Sequence, residues 1–326
     1  MDIIEACISG DTEKALELIM NNDTNMDIVD FHGKTALIWA CEKNMKEVAL
    51  KLIKTGHANP EQVDNYNHTA LHFACWFNMK EVALELIKMG HAKHEQVDNY
   101  GFSALYLACW NRMNEVALEL IKTEQSKPDQ INTYGSTSPL IWACFRGMTE
   151  VALELIQMGY SNPEQVDNDG NTALIFACER GMKEVALELI KTGKSKPDQI
   201  SKDGNTALIW ACRYKMKEVA LELIKTGKSN PDHISKDGNT ALICACQNTM
   251  KEVALELIKT GKSNPEHIDK DGYTSLSWAC ENGMKEVAYE LVSIGIFTIN
   301  DLLFLKSEWV PELFIMKPVY VTEVDI

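Results

Sequence analysis

The stretch MKEVALELIKTGKS at residues 182–195 recurs without a change at residues 216–229 and 250–263. Each copy begins 34 residues after the previous one. Within KEVALELIK the apolar residues fall at the spacing of one helix face, and Glu and Lys fill the opposite face. A helix this short is not stable alone in water, so its apolar face must be buried against neighbouring copies. The repetition therefore predicts a stack of equivalent helices.

A second signature, TALIWAC at residues 35–41, recurs with the same period. The steps between its cysteines are all 34 residues except one step of 35. Counting backward also reaches a cysteine near the start of the chain, which gives nine repeats with the first one truncated. The cysteines are Cys7, Cys41, Cys75, Cys109, Cys144, Cys178, Cys212, Cys246 and Cys280. Such an array is expected to grow as one continuous core.

Each repeat has the start and stop signals of two helices. Thr240 is a good N-cap for the helix ALICACQ, and Gly193 lies where a left-handed residue would end the second helix. Another Gly precedes each capping Thr or Ser, and Asn67 replaces it once. Because Asn is the residue that best tolerates a positive φ after Gly, a tight turn with a left-handed residue is predicted there. These glycines are Gly33, Gly101, Gly135, Gly170, Gly204, Gly238 and Gly272.

The period, both Gly positions and the Thr cap resemble the ankyrin repeat, a helix–turn–helix module joined by hairpin loops. Residues 69–72 (TALH) and 138–140 (SPL) come closest to its T-P-L-H opening. The resemblance implies an all-α ankyrin-repeat solenoid with capping units at both ends. We expect an N-terminal capping unit in residues 1–30, eight repeats in residues 31–295, and a C-terminal cap or tail in residues 296–326.

The composition argues against several classes of protein. The net charge is −15, and residues 1–30 alone contribute −7, so the chain lacks the positive field that nucleic acids attract. No apolar run approaches the length of a membrane span, and the acidic N-terminus does not look like a signal peptide. We therefore expect a cytoplasmic, monomeric protein that binds neither nucleic acid nor membrane.

The ten cysteines suggest a metal or disulfide site, but nine of them share one position in the repeat. Packed helices lie about 8–10 Å apart, too far for most disulfides, so a row of small buried thiols is predicted. His57, His91 and His94 follow helix ends and are expected to be exposed. The sequence does not contain two Cys/His pairs at the spacing of metal ligands. It also lacks a nucleophile and a base at a spacing typical of a catalytic motif. We expect neither a metal, a cofactor nor an enzyme.

The residues that vary around the constant scaffold are aromatic in the first half of the array. The resemblance implies that hairpin tips and the ends of the first helices line a concave groove that holds a target protein. Beyond residue 146 most tips read Asp-Gly-Asn. The predicted partner-binding residues are Phe31, His32, Tyr66, His68, Trp76, Phe77, Tyr100, Phe102, Trp110, Tyr134 and Phe145. The alternative is that these rings fold onto neighbouring tips and cover backbone.

A second apolar row lies one residue before each Ala-Cys pair, and it includes Trp39, Phe73, Trp142 and Trp278. It is predicted either to pack between repeats or to form a partly exposed aromatic stripe that contacts a ligand.

Two functions follow from this pattern. The first is a scaffold or inhibitor that binds a partner protein, mainly through residues 31–146. The alternative is a substrate adaptor, because the chain resembles multi-repeat ankyrin proteins of large DNA viruses, which often recruit a ubiquitin ligase through an F-box-like C-terminal segment. Such a viral protein would act in the host cytoplasm. Residues 296–326 match that segment weakly, with a few Leu and a Pro.

Overall fold

The structure is a computed structural model that describes residues 2–21, 25–56, 58–90, 93–123, 126, 128–133, 137–159 and 162–295. These ranges contain eighteen α-helices in consecutive pairs, which confirms the all-α prediction. The chain divides into two compact units, Met1–Asn168 (the first unit) and Asp169–Ile326 (the second unit). The predicted C-terminal cap or tail, residues 296–326, lies outside the described residues.

The first unit contains five helix pairs in its described part. They are α1 (Ile3–Ser9) and α2 (Thr12–Met20), α3 (Ala36–Glu42) and α4 (Lys46–Thr55), α5 (Ala70–Trp76) and α6 (Lys80–Lys88), α7 (Ala104–Trp110) and α8 (Asn114–Lys122), and α9 (Pro139–Phe145) and α10 (Thr149–Gln157).

The second unit contains four helix pairs in its described part. They are α11 (Ala173–Glu179) and α12 (Lys183–Lys191), α13 (Ala207–Arg213) and α14 (Lys217–Lys225), α15 (Ala241–Gln247) and α16 (Lys251–Lys259), and α17 (Ser275–Glu281) and α18 (Lys285–Ser293). None of the helices in the described ranges has the length and apolar character needed to cross a lipid bilayer.

The first helix of each pair is short because a side-chain cap fixes where it begins. In α15 the Thr240 hydroxyl accepts a hydrogen bond from the Ile243 amide at 3.2 Å, as predicted. The second helix α16 follows Met250, whose side chain makes no capping bond and is buried instead. Val253 and Leu257 continue this apolar face into the core. From α4 onward a buried Met therefore stands where the second helices begin, whereas α2 begins at the side-chain cap Asp11.

Helices stack on their counterparts in the next repeat. In the first unit α3 contacts α5, α5 contacts α7 and α7 contacts α9, and in the second unit α11, α13, α15 and α17 form the same series. All ten cysteines are buried free thiols in this stack, as predicted. Burial raises the pKa of Cys75 to about 12, so this thiol stays protonated at neutral pH and behaves as a small apolar side chain.

The hairpin loops turn through left-handed residues and contact the next loop of the same unit. Asn67 has a φ of 66° and Gly101 a φ of 84°, which confirms the predicted left-handed turn at both positions. A Cβ atom on Gly101 would lie 2.9 Å from the Ile131 carbonyl oxygen of the next loop, so only Gly allows this close approach. The Asn99 amide also donates to the Tyr66 carbonyl oxygen at 3.0 Å. Neighbouring hairpins are thus held against one another.

Candidate functional site

Three hairpin tips of the first unit each expose an aromatic ring. Phe31 is 84 % exposed, Tyr66 is 52 % exposed, and Tyr100 is exposed as well. The turn itself forces this orientation, as the second of these tips shows. There the Asp64 carboxylate accepts hydrogen bonds from the amides of Tyr66 at 2.9 Å and His68 at 2.8 Å. The Tyr66 ring is left in solvent while the carboxylate holds the backbone of the turn.

More aromatic rings lie where the first helices end. Trp76 is 44 % exposed and Phe77 is also exposed, whereas Trp110 and Phe145 are half-buried. The ring centroids of Trp76 and Trp110 are 6.3 Å apart, and Trp110 stacks on Trp142 at 5.4 Å with an angle of 2° between the planes. The rings therefore form a continuous layer across repeats. We call these exposed and half-buried rings the aromatic surface: Phe31, Tyr66, Trp76, Phe77, Tyr100, Trp110 and Phe145.

Phe102 does not belong to this surface, and the prediction that its ring faces solvent is wrong. Only 6 % of the residue is exposed. Its ring packs against Tyr106 with centroids 5.0 Å apart, and lies 6.0 Å from both Trp76 and Trp110. Phe102 is thus part of the floor on which the exposed rings rest. His32 is exposed as predicted, and Tyr134 lies outside the described residues.

His68 was also predicted to face a partner, but it is enclosed between two carboxylates. Its Nδ1 lies 3.1 Å from Asp64 Oδ2 and its Nε2 lies 3.2 Å from Asp98 Oδ2, and only 13 % of its side chain is exposed. Burial alone would lower the pKa of His68, but the hydrogen bonds and charges of both aspartates outweigh it and raise the pKa to about 9. His68 is therefore charged at neutral pH and ties two hairpins together.

Lys34 occupies the equivalent position one repeat earlier and is buried in the same way. Its Nζ lies 2.5 Å from Glu42 Oε2, 3.8 Å from Asp64 Oδ2 and 4.5 Å from the centroid of the Trp39 ring. Buried cationic and anionic side chains therefore alternate beneath these hairpin tips. Asp64, which belongs to the next repeat, covers one side of Lys34, and the sequence of a single repeat does not show that contact.

The second apolar row contacts the hairpins of its own repeats, and its tryptophans stay partly exposed, so both predictions for it remain open. Trp39 is half-buried and its Nε1 donates to Asp30 Oδ2 at 2.9 Å. Trp278 makes the equivalent bond to Asp269 Oδ2 at 2.8 Å. These indole rings join the first helices to the base of the hairpins and help to fix the tips in place.

His94 is not exposed, contrary to expectation. It is 2 % exposed, and neither ring nitrogen has a hydrogen-bond partner. It stands at the loop position that Pro60 and Pro128 occupy in the neighbouring repeats, and both prolines are buried. Burial lowers the pKa of His94. The apolar environment suited to Pro explains why the imidazole has no partner. His57 and His91 lie outside the described residues.

The second unit presents a different surface. Six aromatic side chains are exposed in the described part of the chain, and five of them belong to the first unit; the sixth is Tyr214. Within the described ranges, no group of His, Cys, Asp and Glu side chains is placed to hold a metal ion. The aromatic surface is therefore the feature that distinguishes the first unit chemically.

The repeated helix pairs agree with a comparison of the sequence with known families. A family model described as "Ankyrin repeats (3 copies)" matches residues 3–96, 106–200, 140–232 and 221–301. The chain belongs to the ankyrin repeat family. Ankyrin repeats are generally protein–protein interaction modules. The comparison with curated proteins gives no match.

Proposed function

We propose that this ankyrin repeat protein is a non-enzymatic interaction module whose aromatic surface binds a segment of another protein. The observation that carries the proposal is the concentration of exposed aromatic rings in the first unit. Large exposed rings lower solubility, and Trp and Tyr dominate the binding energy of protein interfaces. We thus propose residues 31–146 as the main binding region. In this region Phe102 and His68 support the exposed rings from below and do not contact the partner.

The support beneath the rings favours binding because it fixes their positions in advance. The Asp64–His68–Asp98 cluster locks two hairpins, and the buried Phe102 ring holds Trp76 and Trp110 from below. Ordering side chains on association costs affinity, so rings that are already ordered bind more tightly. A standard interface buries about 800 Å² on each partner, an area that a few adjacent repeats can supply.

The proposal is tested with a displayed library of peptides selected for binding to the intact chain. Binding of the selected peptides is then compared between the wild type and the Trp76→Ala/Phe77→Ala variant. One central aromatic anchor contributes about 2 kcal/mol, so affinity should fall by about 30-fold if one of the two acts as an anchor and by up to about 1,000-fold if both do. Trp76 and Phe77 are both exposed, and the thermal midpoint of unfolding should change little.

The matched control is the Ile234→Ala/Ile268→Ala variant, which removes two exposed apolar side chains from the second unit. Its affinity for the selected peptides should equal that of the wild type. Equal losses in both variants would contradict the proposal, as would a Trp76→Ala/Phe77→Ala variant that is folded and binds normally.

The adaptor function stays a prediction, because residues 296–326 lie outside the described residues. The same holds for the capping roles of residues 1–30 and 296–326. Deleting residues 297–326 separates the two alternatives for the C-terminal segment. If it is a cap, the deletion lowers the thermal midpoint; if it recruits a ubiquitin-ligase component, the deleted chain stays folded and loses that component.

A further inference from the structure

Three cations at the ends of first helices in the first unit have no carboxylate partner in the described chain. Lys43 follows α3, Arg112 follows α7 by two residues, and Arg146 follows α9. Lys43 Nζ lies 5.5 Å from the centroid of the Trp39 ring. The Arg146 guanidinium lies 5.4 Å from the ring of Phe145, and its Nε is buried without a hydrogen-bond partner. Within the described ranges, none of these three cations lies within 4.0 Å of a carboxylate oxygen.

The acidic groups on this side of the first unit are already occupied. Asp30 Oδ1 accepts from the amides of His32 and Lys34, each at 2.9 Å, and its Oδ2 accepts from the Trp39 indole. Glu42 is paired with Lys34 at 2.5 Å. The two buried aspartates of the His68 cluster share the imidazolium, and Asp64 also lies 3.8 Å from Lys34 Nζ. The three cations thus have no ion-pair partner in the described chain, and they stand at or just after the ends of first helices, as Trp76 and Phe77 do.

At the equivalent helix ends of the second unit, the arginines are paired with carboxylates. Arg180 lies 3.8 Å from Glu179 and Arg213 lies 3.6 Å from Asp237. Lys215 at the turn after α13 has no carboxylate partner in the described chain, and it follows Tyr214, the one exposed aromatic ring in the described part of its unit. A chain with a net charge of −15 therefore combines unbalanced cations with exposed rings in its first unit.

We infer that the partner segment is an acidic peptide, with Asp or Glu side chains on either side of an apolar anchor. The anchor packs on Trp76 and Phe77, and the carboxylates pair with Lys43, Arg112 and Arg146. Carboxylates match the guanidinium geometry and balance the local charge. A single-stranded nucleic acid could also stack on the rings, but its charge at every nucleotide is repelled by the acidic chain. The inference rests on the proposed function, since it names the chemistry of the same site.

The experiment uses a displayed library of random peptides of about 16 residues, selected on the intact chain. The selected peptides should be enriched in Asp and Glu flanking Trp, Phe or Leu. In the Lys43→Glu/Arg112→Glu/Arg146→Glu variant the affinity of a selected peptide should fall at least tenfold, because each exposed ion pair contributes roughly 0.2–1 kcal/mol and reversal adds repulsion. Raising the salt from about 50 to about 500 mM should weaken binding to the wild type more than to the variant.

The matched control is the Lys194→Glu/Lys228→Glu/Lys262→Glu variant. It makes the same change in net charge at exposed lysines of the second unit and should bind the selected peptide within about twofold of the wild type. A second variant, Lys43→Gln/Arg112→Asn/Arg146→Gln, removes the charges without reversing them, and Asn tolerates the φ of 58° at position 112. Its affinity for the selected peptide should fall about fivefold. Circular dichroism melting verifies that each variant is folded.

The outcomes separate this inference from the proposed function. If the selected peptides require Trp76 and Phe77 but show no acidic enrichment and tolerate the charge reversal, the inference of an acidic partner is wrong and the proposed docking surface stands. A selection whose peptides bind the Trp76→Ala/Phe77→Ala variant normally overturns both. A fluorescein-labelled dT oligonucleotide of about 16 nucleotides is tested in parallel. If it binds more tightly than any selected peptide, and the charge-reversed variant loses this binding, the partner is a nucleic acid and not an acidic peptide.

Discussion

At the scale of single residues, two neighbouring histidines respond to pH in opposite ways. Burial of His72 lowers its pKa to about 4, and its Nε2 faces the Phe102 carbonyl oxygen at 3.1 Å. The two aspartates around His68 raise the pKa of its imidazole to about 9. Since an unfolded His titrates near 6.5, protonation stabilises the fold at His68 and destabilises it at His72.

The His68→Gln variant should therefore lose most stability below pH 6.5 and progressively less as the pH rises to about 9. The contribution of His68 is complete below its unfolded pKa and disappears as pH rises from 6.5 through about 9. The free energy of urea unfolding should differ from the wild type by roughly 1–3 kcal/mol at pH 6, since solvent screens part of the pair, and by much less above pH 9. His32→Gln, which changes an exposed His, is the control. A difference that stays constant from pH 6 to above pH 9 would show that His68 is not charged in the fold.

His94 offers a stabilising substitution that its own array suggests. Four repeats carry Asn-Pro at this position, for example Asn59-Pro60, whereas this one carries Lys93-His94 with Lys93 at a φ of 43°. The double variant Lys93→Asn/His94→Pro removes two unsatisfied ring nitrogens and restricts the unfolded chain. It should raise the unfolding free energy by about 1–3 kcal/mol, and by more as pH falls below 6.5, where an unfolded His gains a proton.

His94→Pro alone should gain less, because a Lys at position 93 cannot accept the hydrogen bond that Asn59 Oδ1 accepts from the Glu61 amide at 2.9 Å. Thermal melting of the three chains ranks them. A double variant that melts below the wild type would mean that the His94 ring contributes packing that Pro cannot replace.

At the scale of elements, the short first helices depend on their caps. An α-helix of seven residues such as α15 gains little from its own backbone hydrogen bonds, so the Thr240 cap is a large share of its local stability. The second helices use cross-repeat ion pairs on their outer faces, such as Lys183 with Glu218 at 2.9 Å and Lys217 with Glu252 at 2.6 Å. These exposed pairs set register more than stability.

Thr240→Ala should lower the free energy of unfolding by about 1 kcal/mol, since it leaves the Ile243 amide without its acceptor in a buried position. Thr240→Ser keeps the hydroxyl and should lower the free energy of unfolding by only a few tenths of a kcal/mol. Urea denaturation measures both values. Equal losses in the two variants would assign the effect to the lost methyl group and not to the cap.

The elements could be predicted from the sequence because their signals lie within one repeat. Helix periodicity, the Thr cap and the exchange of Gly for Asn67 all describe local geometry, and the structure confirms them. The positions of His68, Phe102 and His94 could not be predicted in this way. Each is buried by groups from an adjacent repeat or loop, such as Asp98 against His68, so its exposure depends on packing and not on residue type.

At the scale of the whole molecule, two units built from the same repeat differ in what they offer to solvent. The first unit exposes rings at its hairpin tips and helix ends, with free cations beside them. The tips of the second unit carry Asp-Gly-Asn at residues 169–171, 203–205 and 237–239. A constant scaffold thus carries two surfaces, and binding energy is concentrated where aromatic residues are exposed.

Hydroxyl-radical footprinting of the intact chain, with and without a peptide selected from the library, tests this account most directly because the radicals oxidise exposed aromatic side chains. The account predicts that the bound peptide protects Tyr66, Trp76 and Phe77, while Tyr214 and the exposed Met20 are oxidised at unchanged rates. Protection of Tyr214 with no change at Trp76 and Phe77 would contradict it.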